Sequence, residues 1–428
     1  MPAPDSRLLI VGVCAALVAG CGGGASTSGS GSGPPTTVTV SFQPASPVAV
    51  ATQTGSGAFT MATVVSNTVT LSVPAGTTDF AVAYLCPSYT LSGTTFQRQF
   101  VFEASVGDGT AFDQICANPA GLQLQTQNGT LSGTVDASAI PNANMVWLFG
   151  GSGGGTGIGG SVEEVNAQLP LGTDDVVALA SQNELSGNSF GITILAIKDL
   201  GEQAVPGTVG SGNPIVLGTA DETTPQPITY RNVPSGGAPG TSVTFRTQEG
   251  GLIPLQSSTT SSYPAVPAAM LNGSTQYSAL SIAGDLETSS VSFNRAWNGG
   301  GGPLTVVFPS PWSYSGPSAA ALPAFDFSTY SGFTGTAGVT RVGTENWQPE
   351  AGLVNSYQLT ASGSFEGAAG ALALPNLSAL SGFLADPASG TTVSWQASIS
   401  QNSAGAIGAT PLNSSTQTAQ NAGQFVVP

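Results

Sequence analysis

The chain has 428 residues, too long for one typical domain, so two to four domains are expected. Charged residues are only 7 % of it, the net charge is −16 and there is no histidine. That composition removes Ser-His-Asp and Cys-His catalysis, histidine-ligated zinc or copper, and histidine pH switching. Beyond the leader the basic residues are Arg98, Lys198, Arg231, Arg246, Arg295 and Arg341, scattered rather than clustered. Nothing there neutralises a run of phosphates or a film of anionic lipid, and no nucleic acid partner is expected. Hydrophobic residues reach 40 % and alternate with small polar ones between 58 glycines and 30 prolines. This is the texture of many short strands joined by tight turns.

The chain opens with an apolar run, Leu8 to Val18, behind Arg7 and the amino terminus, too short to span a bilayer as a helix. It ends in Val18-Ala19-Gly20-Cys21, which resembles the bacterial lipobox of exported lipoproteins. The resemblance implies a signal peptide over 1–20, cleavage before Cys21, a diacylglyceryl group on the Cys21 sulfur and acylation of the new amino terminus. Several acyl chains at ~0.8 kcal/mol per buried CH₂ anchor durably where one would be marginal. Residues 21–36 form the tether, almost entirely Gly, Ala, Ser, Thr and Pro, a flexible coil that lets a folded body clear the membrane. In the family's sorting pattern Gly22, in place of Asp, points to the outer membrane.

Cys14 leaves with the signal and Cys21 takes the lipid, so Cys86 and Cys116 remain as a pair. In an oxidising compartment they are expected as a disulfide. It closes a loop of about 30 residues and restricts the unfolded chain by roughly 3–4 kcal/mol. The alternative is two free thiols or a metal pair, and a zinc site there lacks a histidine or a further cysteine.

Strand patterns begin at Val38, Val40 and Phe42, and recur at Val69-Leu71-Val73, at Phe80-Val82-Tyr84 and at Phe100-Phe102. Residues 71–83 align with 167–179: strand, Pro-x-Gly-Thr turn, strand. Two related sandwich modules are expected, 37–125 and 126–218. From Gly133-Thr134-Val135 to the turn Leu169-Pro170-Leu171-Gly172-Thr173, residues 133–197 resemble carboxypeptidase-regulatory-like or transthyretin-like sandwiches, with Asp174 where that family shows Tyr. The resemblance implies an accessory β-sandwich.

From 219 to 428 the reading is one larger C-terminal β region, with room for two subdomains. Its strands include Val243/Phe245, Val291/Phe293, Val306/Phe308, Tyr357/Leu359 and Val393/Trp395, and Leu322–Phe333 is echoed by Leu374–Phe383. No window free of Gly and Pro holds a 3.6-residue period. The fold class expected is therefore all-β, tandem antiparallel β-sandwich-like modules after a signal peptide and tether.

Candidate chemistry is sparse. Gly155-Thr156-Gly157-Ile158-Gly159-Gly160 fits a dinucleotide fingerprint but precedes no helix, and reads as a glycine loop. Gly150-Gly151-Ser152-Gly153-Gly154 spells a nucleophile elbow without a base for Ser152, and Leu195 stands where a Ser-Lys hydrolase with Lys198 needs serine. Glu163/Glu164, Asp174/Asp175, Asp221/Glu222 and Asp285/Glu287 are carboxylate pairs, yet strand neighbours point to opposite faces. Asp108 and Asp113, near Glu103, suggest a calcium loop but lack the Asp-x-Asp-x-Asp-Gly pattern. Trp297, Trp312, Tyr314 and Trp347 are either sugar-facing rings or core, and core is the favoured reading.

The function expected is a membrane-anchored envelope lipoprotein with a non-catalytic structural, adhesive or assembly role, without cofactor or metal. Its partners would be the membrane, through the lipid, and envelope glycan or other surface proteins. The competing class is a glycan or envelope-polymer binding protein, and behind that a carboxylate-dependent hydrolase.

Overall fold

Alternation of apolar and small polar residues gives most strands one buried face. Val69, Leu71 and Val73 point inward from Thr68–Val73, and Tyr277, Ala279 and Ala283 do so from Gln276–Asp285. A computed structural model describes residues 34–116, 128–150, 153–158, 160–186, 189–210, 213–248, 251–258, 261–365, 370–407 and 410–428. The expected signal peptide, Cys21 and all but the end of the tether lie outside the described residues, as does Ser152. The described chain is all-β apart from three short 3-10 turns. Among the described residues no helix is long and apolar enough to cross a membrane.

The first sandwich has strands β1 (Thr36–Pro44), β2 (Ala49–Thr54), β3 (Thr60–Met61), β4 (Thr68–Val73), β5 (Asp79–Leu85), β6 (Tyr89–Leu91), β7 (Thr94–Ser105) and β8 (Ala111–Cys116). One sheet runs β4-β1-β8, with β1 and β8 parallel; the facing sheet runs β3-β2-β5-β7. Val38, Val40, Phe42, Phe80, Val82 and Phe102 pack between them.

The second sandwich repeats this order. Its strands are β9 (Asn128–Asp136), β10 (Met145–Gly150), β11 (Gly153–Ile158), β12 (Val162–Pro170), β13 (Gly172–Ser186), β14 (Ser189–Val205), β15 (Gly207–Thr208) and β16 (Ile215–Val216). One sheet runs β12-β9-β15, again closed by a parallel strand, and the other runs β11-β10-β13-β14. The repeat of residues 71–83 at 167–179 is now explained. Each copy is the turn at which the chain leaves one sheet of its sandwich, by β4 or β12, and enters the other, by β5 or β13.

The C-terminal region carries the same topology twice more. Strands β17 (Thr224–Arg231), β18 (Gly240–Arg246), β19 (Leu252–Ser258), β20 (Ser262–Ala265), β21 (Gln276–Asp285), β22 (Ser289–Asn298) and β23 (Leu304–Val307) form sheets β20-β17-β23 and β19-β18-β21-β22. Strands β24 (Ala324–Asp326), β25 (Val339–Glu350), β26 (Leu353–Ser362), β27 (Ala371–Ala373), β28 (Thr392–Asn402) and β29 (Ser414–Val426) form β24-β27 and β26-β25-β28-β29.

Three of the four units merge. β22 pairs antiparallel with β29, and β7 pairs in parallel with β26, from Thr95↔Leu353 to Glu103↔Ala361. The result is one 13-stranded sheet joining the first, third and fourth sandwiches. Its inner face carries Tyr277, Trp297, Trp347, Tyr357 and Trp395, roofed in the fourth unit by Phe325, Phe327, Leu372 and Leu374. Gly343 lies under this roof, where a Cβ would meet the Phe325 ring at 2.4 Å. The second sandwich joins the same core through Val177, Leu179, Ile194 and Ile197. There the Thr247 hydroxyl donates to the buried Asp175 carboxylate.

Candidate functional site

The residues singled out in sequence are placed as follows. Cys86 and Cys116 form a pair with Cα atoms 5.4 Å apart, inside the roughly 4.4–6.8 Å range of disulfides. Trp297, Trp312 and Trp347 are 8 %, 2 % and 4 % exposed, and Tyr314 is half-buried and stacked 4.7 Å from Trp312. These rings belong to the core of the third and fourth units. Trp312 Nε1 donates to Thr329 Oγ1 at 2.9 Å, so its polar atom is satisfied internally.

The glycine motif corrects an expectation. Gly153–Ile158 is strand β11, paired with β10, rather than a loop. Glycine is required at 155 because a Cβ there would lie 2.1 Å from the Asn166 carbonyl oxygen of β12. Asp108 has a structural role: the Ser105 N–H (2.9 Å) and the Ser362 hydroxyl (2.6 Å) both donate to its Oδ2, tying the first sandwich to the fourth. Asp113 is exposed, and the described residues contain no group of three or more His, Cys, Asp or Glu placed to hold a metal. Glu163 is half-buried and Glu164 exposed on β12; Asp285 accepts from the Glu287 N–H in a surface turn. Lys198 reaches Asp221 at 4.0 Å and donates to the Val216 carbonyl at 3.0 Å.

Two buried acids stand out that the sequence reading either passed over or named only as a neighbour of Asp108. Glu345 on β25 is fully buried, with neither carboxyl oxygen hydrogen-bonded, and burial followed by the nearby Asp386 pushes it up to about 8. Glu103 on β7 is pushed up to about 7 by burial and then by Asp79. Glu103 lines a cleft of about 500 Å³ with Gln53, Phe59, Phe365, Asn376 and Leu380. Among the described residues of that lining it is the one ionisable group.

The broadest chemical surface is the other face of the large sheet. Even-numbered residues of β21, β22, β29, β28 and β26, with Thr340 to Asn346 of β25, share that face because paired positions project together. They are hydroxyls, amides and a few apolar groups, with no Asp, Glu, Lys or Arg among them. One row across β7, β26, β25, β28 and β29 reads Arg98, Ser356, Asn346, Ser394, Gln424. The next reads Phe100, Gln358, Thr344, Gln396, Ala422, and all ten side chains are half-buried or exposed. The alternation was visible in sequence as polar even positions; what hid it was that the strands come from units joined only in three dimensions.

This face ends where the β4-β1-β8 sheet stands on β5 and β7. There Tyr89 stacks on Phe96 with centroids 5.0 Å apart and planes 12° off parallel. Arg98 lies over both neighbours, its Cζ 5.2 Å from the Tyr89 centroid and 5.8 Å from that of Phe100. Its Nε and Nη2 are buried without a hydrogen-bond partner, and burial lowers the guanidinium from its ordinary range. Among the described residues no carboxylate is paired with Arg98 within 4.0 Å.

No family model matches the chain, and no curated protein matches it. Among solved structures, the Bacillus anthracis TIE protein is similar at 10 % identity over 64 % of this chain, with a TM-score of 0.15. The chain covers 50 % of that protein's length, and a score this low carries no argument about fold or activity.

Proposed function

We propose that this chain is a lipid-anchored envelope protein that holds a hydroxyl-rich envelope polymer against its large sheet, a non-catalytic role in adhesion or assembly. The observation that carries the reading is the charge-free centre of that sheet's polar face, across β21, β22, β29, β28, β25 and β26. Its rows of Ser, Thr, Asn and Gln offer donors and acceptors whose burial under a ligand costs no desolvation of charge. A glycan chain, itself rich in hydroxyls, complements such a lattice; a charged partner would find counter-ions only toward its two ends, at Arg246 on β18 and Arg98 on β7. The lipobox at Cys21 and the coil after it support attachment to the cell envelope, on the outer membrane as Gly22 suggests.

Full-length chain in detergent should co-sediment with envelope polysaccharide. Thr344→Lys, which puts a charge at the centre of the face, should reduce binding about tenfold or more with little change in melting temperature. Equal binding by the variant would move the ligand elsewhere. Cys21→Ser should release the protein from the membrane fraction or leave its signal uncleaved; normal processing with retention in the membrane pellet would sink the lipoprotein reading.

A further inference from the structure

We infer that the cleft between the first and fourth sandwiches binds a small, singly charged organic cation, an ammonium head on an apolar body, with Glu103 as its counter-ion. This site is separate from the polar face and does not depend on the polymer reading. The neighbours of Glu103 in its row across the sheet are Ala81 on β5 and Ala361 on β26, so no polar side chain on an adjacent strand answers the carboxyl. Glu345 has both carboxyl oxygens sealed in the core, whereas Glu103 keeps 8 % of its surface open and lines the cleft. Much of the remaining wall is Phe59, Phe365 and Leu380, apolar side chains only partly buried against the core. The cleft is held in shape from both sides. Gln53 Nε2 donates to the Gly57 carbonyl at one rim. In the roof, the Tyr357 hydroxyl donates to the Pro375 carbonyl at 2.7 Å and the Leu384 N–H to Gln99 at 2.8 Å.

The groups around Glu103 set the sign of the ligand. Asp79 on β5 and the neutral phenol of Tyr357 on β26 act on it, and Glu345 on β25 and Asp386 in the roof lie around the same phenol. Arg341 on β25 stands in the same row beyond Ala361, but its Nη1 donates to the Ser362 carbonyl at 3.5 Å. Among the described residues no carboxylate is paired with Arg341 within 4.0 Å. Burial and then Asp79 therefore hold the Glu103 proton up to about 7. A cation entering the cleft replaces that proton, making a charge-assisted hydrogen bond to the carboxylate while the phenylalanine rings cover its body. One ionisable group in the described lining matches one positive charge, and a polyamine would find no second partner there. A divalent metal such as calcium needs six to eight oxygen ligands, and the described residues contain no group of three or more acids placed to supply them. At about 500 Å³ the cleft has room for a ring or short chain behind the head.

The test titrates phenethylamine and phenethyl alcohol, which differ only in the head group, into the full chain in non-ionic detergent. At pH 8 the amine should bind about tenfold or more tighter than the alcohol. Its affinity should fall about tenfold or more from pH 8 to pH 5.5, because Glu103 recovers its proton over that range while the amine stays charged. At pH 7 binding should release about half a proton, read by calorimetry in buffers of different ionisation enthalpy. Glu103→Gln should bring the amine down to the level of the alcohol and flatten its pH profile. If that variant shifts the melting temperature markedly, Ala379→Trp decides, since it fills the cleft from an exposed position and should abolish amine binding. Equal affinity for amine and alcohol, a flat pH profile in the parent chain, or no amine binding up to roughly 10 mM overturns the inference. Each of these outcomes leaves the polymer reading standing.

Discussion

Glu345 is fully buried between Trp395 on one neighbouring strand and Tyr357 on the other, and neither carboxyl oxygen has a partner. A charged form in that place lacks both water and donors, which is why its protonation is held up to about 8. In the unfolded chain the same acid titrates near 4.5. The folded state thus holds the proton more tightly. Its contribution is complete below the unfolded value and is lost as pH climbs through about 8. Glu103 adds the same sign over a lower window, ending near 7. The amide Glu345→Gln keeps the shape of the neutral acid and cannot ionise. At pH 5 the two proteins should unfold within about 1 kcal/mol of each other, and at pH 9 the variant should be more stable by about 2 kcal/mol or more. Urea titrations at both pH values measure this, and parallel loss of stability in the two proteins would show that the Glu345 carboxyl is solvated.

At the scale of strands, the sequence was legible wherever apolar residues alternate over at least five positions, as in β1, β4 and β28, or run on continuously, as in β5. The 71–83 and 167–179 repeat also marked the sheet-changing turn of the first two units, because both copies keep the Pro-x-Gly-Thr bend. The third and fourth copies carry no such bend. In the third unit β20 ends on Ala265 and β21 begins at Gln276, with the 3-10 turn Ala268–Met270 between. In the fourth, β24 and β27 shrink to three residues each, and the long loops beside them do the roofing with Phe327, Leu374, Leu377 and Leu384. Topology was kept while its local signals were lost. The same physics explains the aromatic reading. Trp312 and Trp395 have the size and spacing of ligand platforms, but glycines at 316 and 423 bring the backbone against Trp395, and roof residues cover the rest. Candidate positions such as Arg98 and Ser356 stayed hidden, because nothing local to β7 says that β26, more than two hundred residues later, lies beside it.

The whole molecule is built by edges as much as by cores. β7 is a 12-residue strand that would be an exposed edge in an isolated first sandwich, bearing Phe96 and Phe100 on one side of its ladder. In the intact chain that edge is covered by parallel pairing with β26. The first sandwich also depends on its neighbour for its second face. Ala49, Ala51, Ala81, Ala83 and Val101 lie in the core shared with Leu377, Leu384 and the fourth unit. Residues 34–125 expressed alone lose both covers and leave a long, apolar, hydrogen-bond-hungry edge, the usual template for chain-to-chain pairing. The fragment should therefore associate with rising concentration or precipitate. Adding residues 219–428, which contain β26 and the roof, should recover a soluble one-to-one complex. The second sandwich has its own core of Leu131, Val146, Leu148, Val165 and Leu169, and should unfold in a transition separate from that of the merged body. Size-exclusion chromatography and calorimetry distinguish the cases. A monomeric 34–125 fragment that melts at the temperature of the intact chain would mean that the β7–β26 pairing contributes nothing to stability, and the 13-stranded sheet would then be three sandwiches in contact rather than one body.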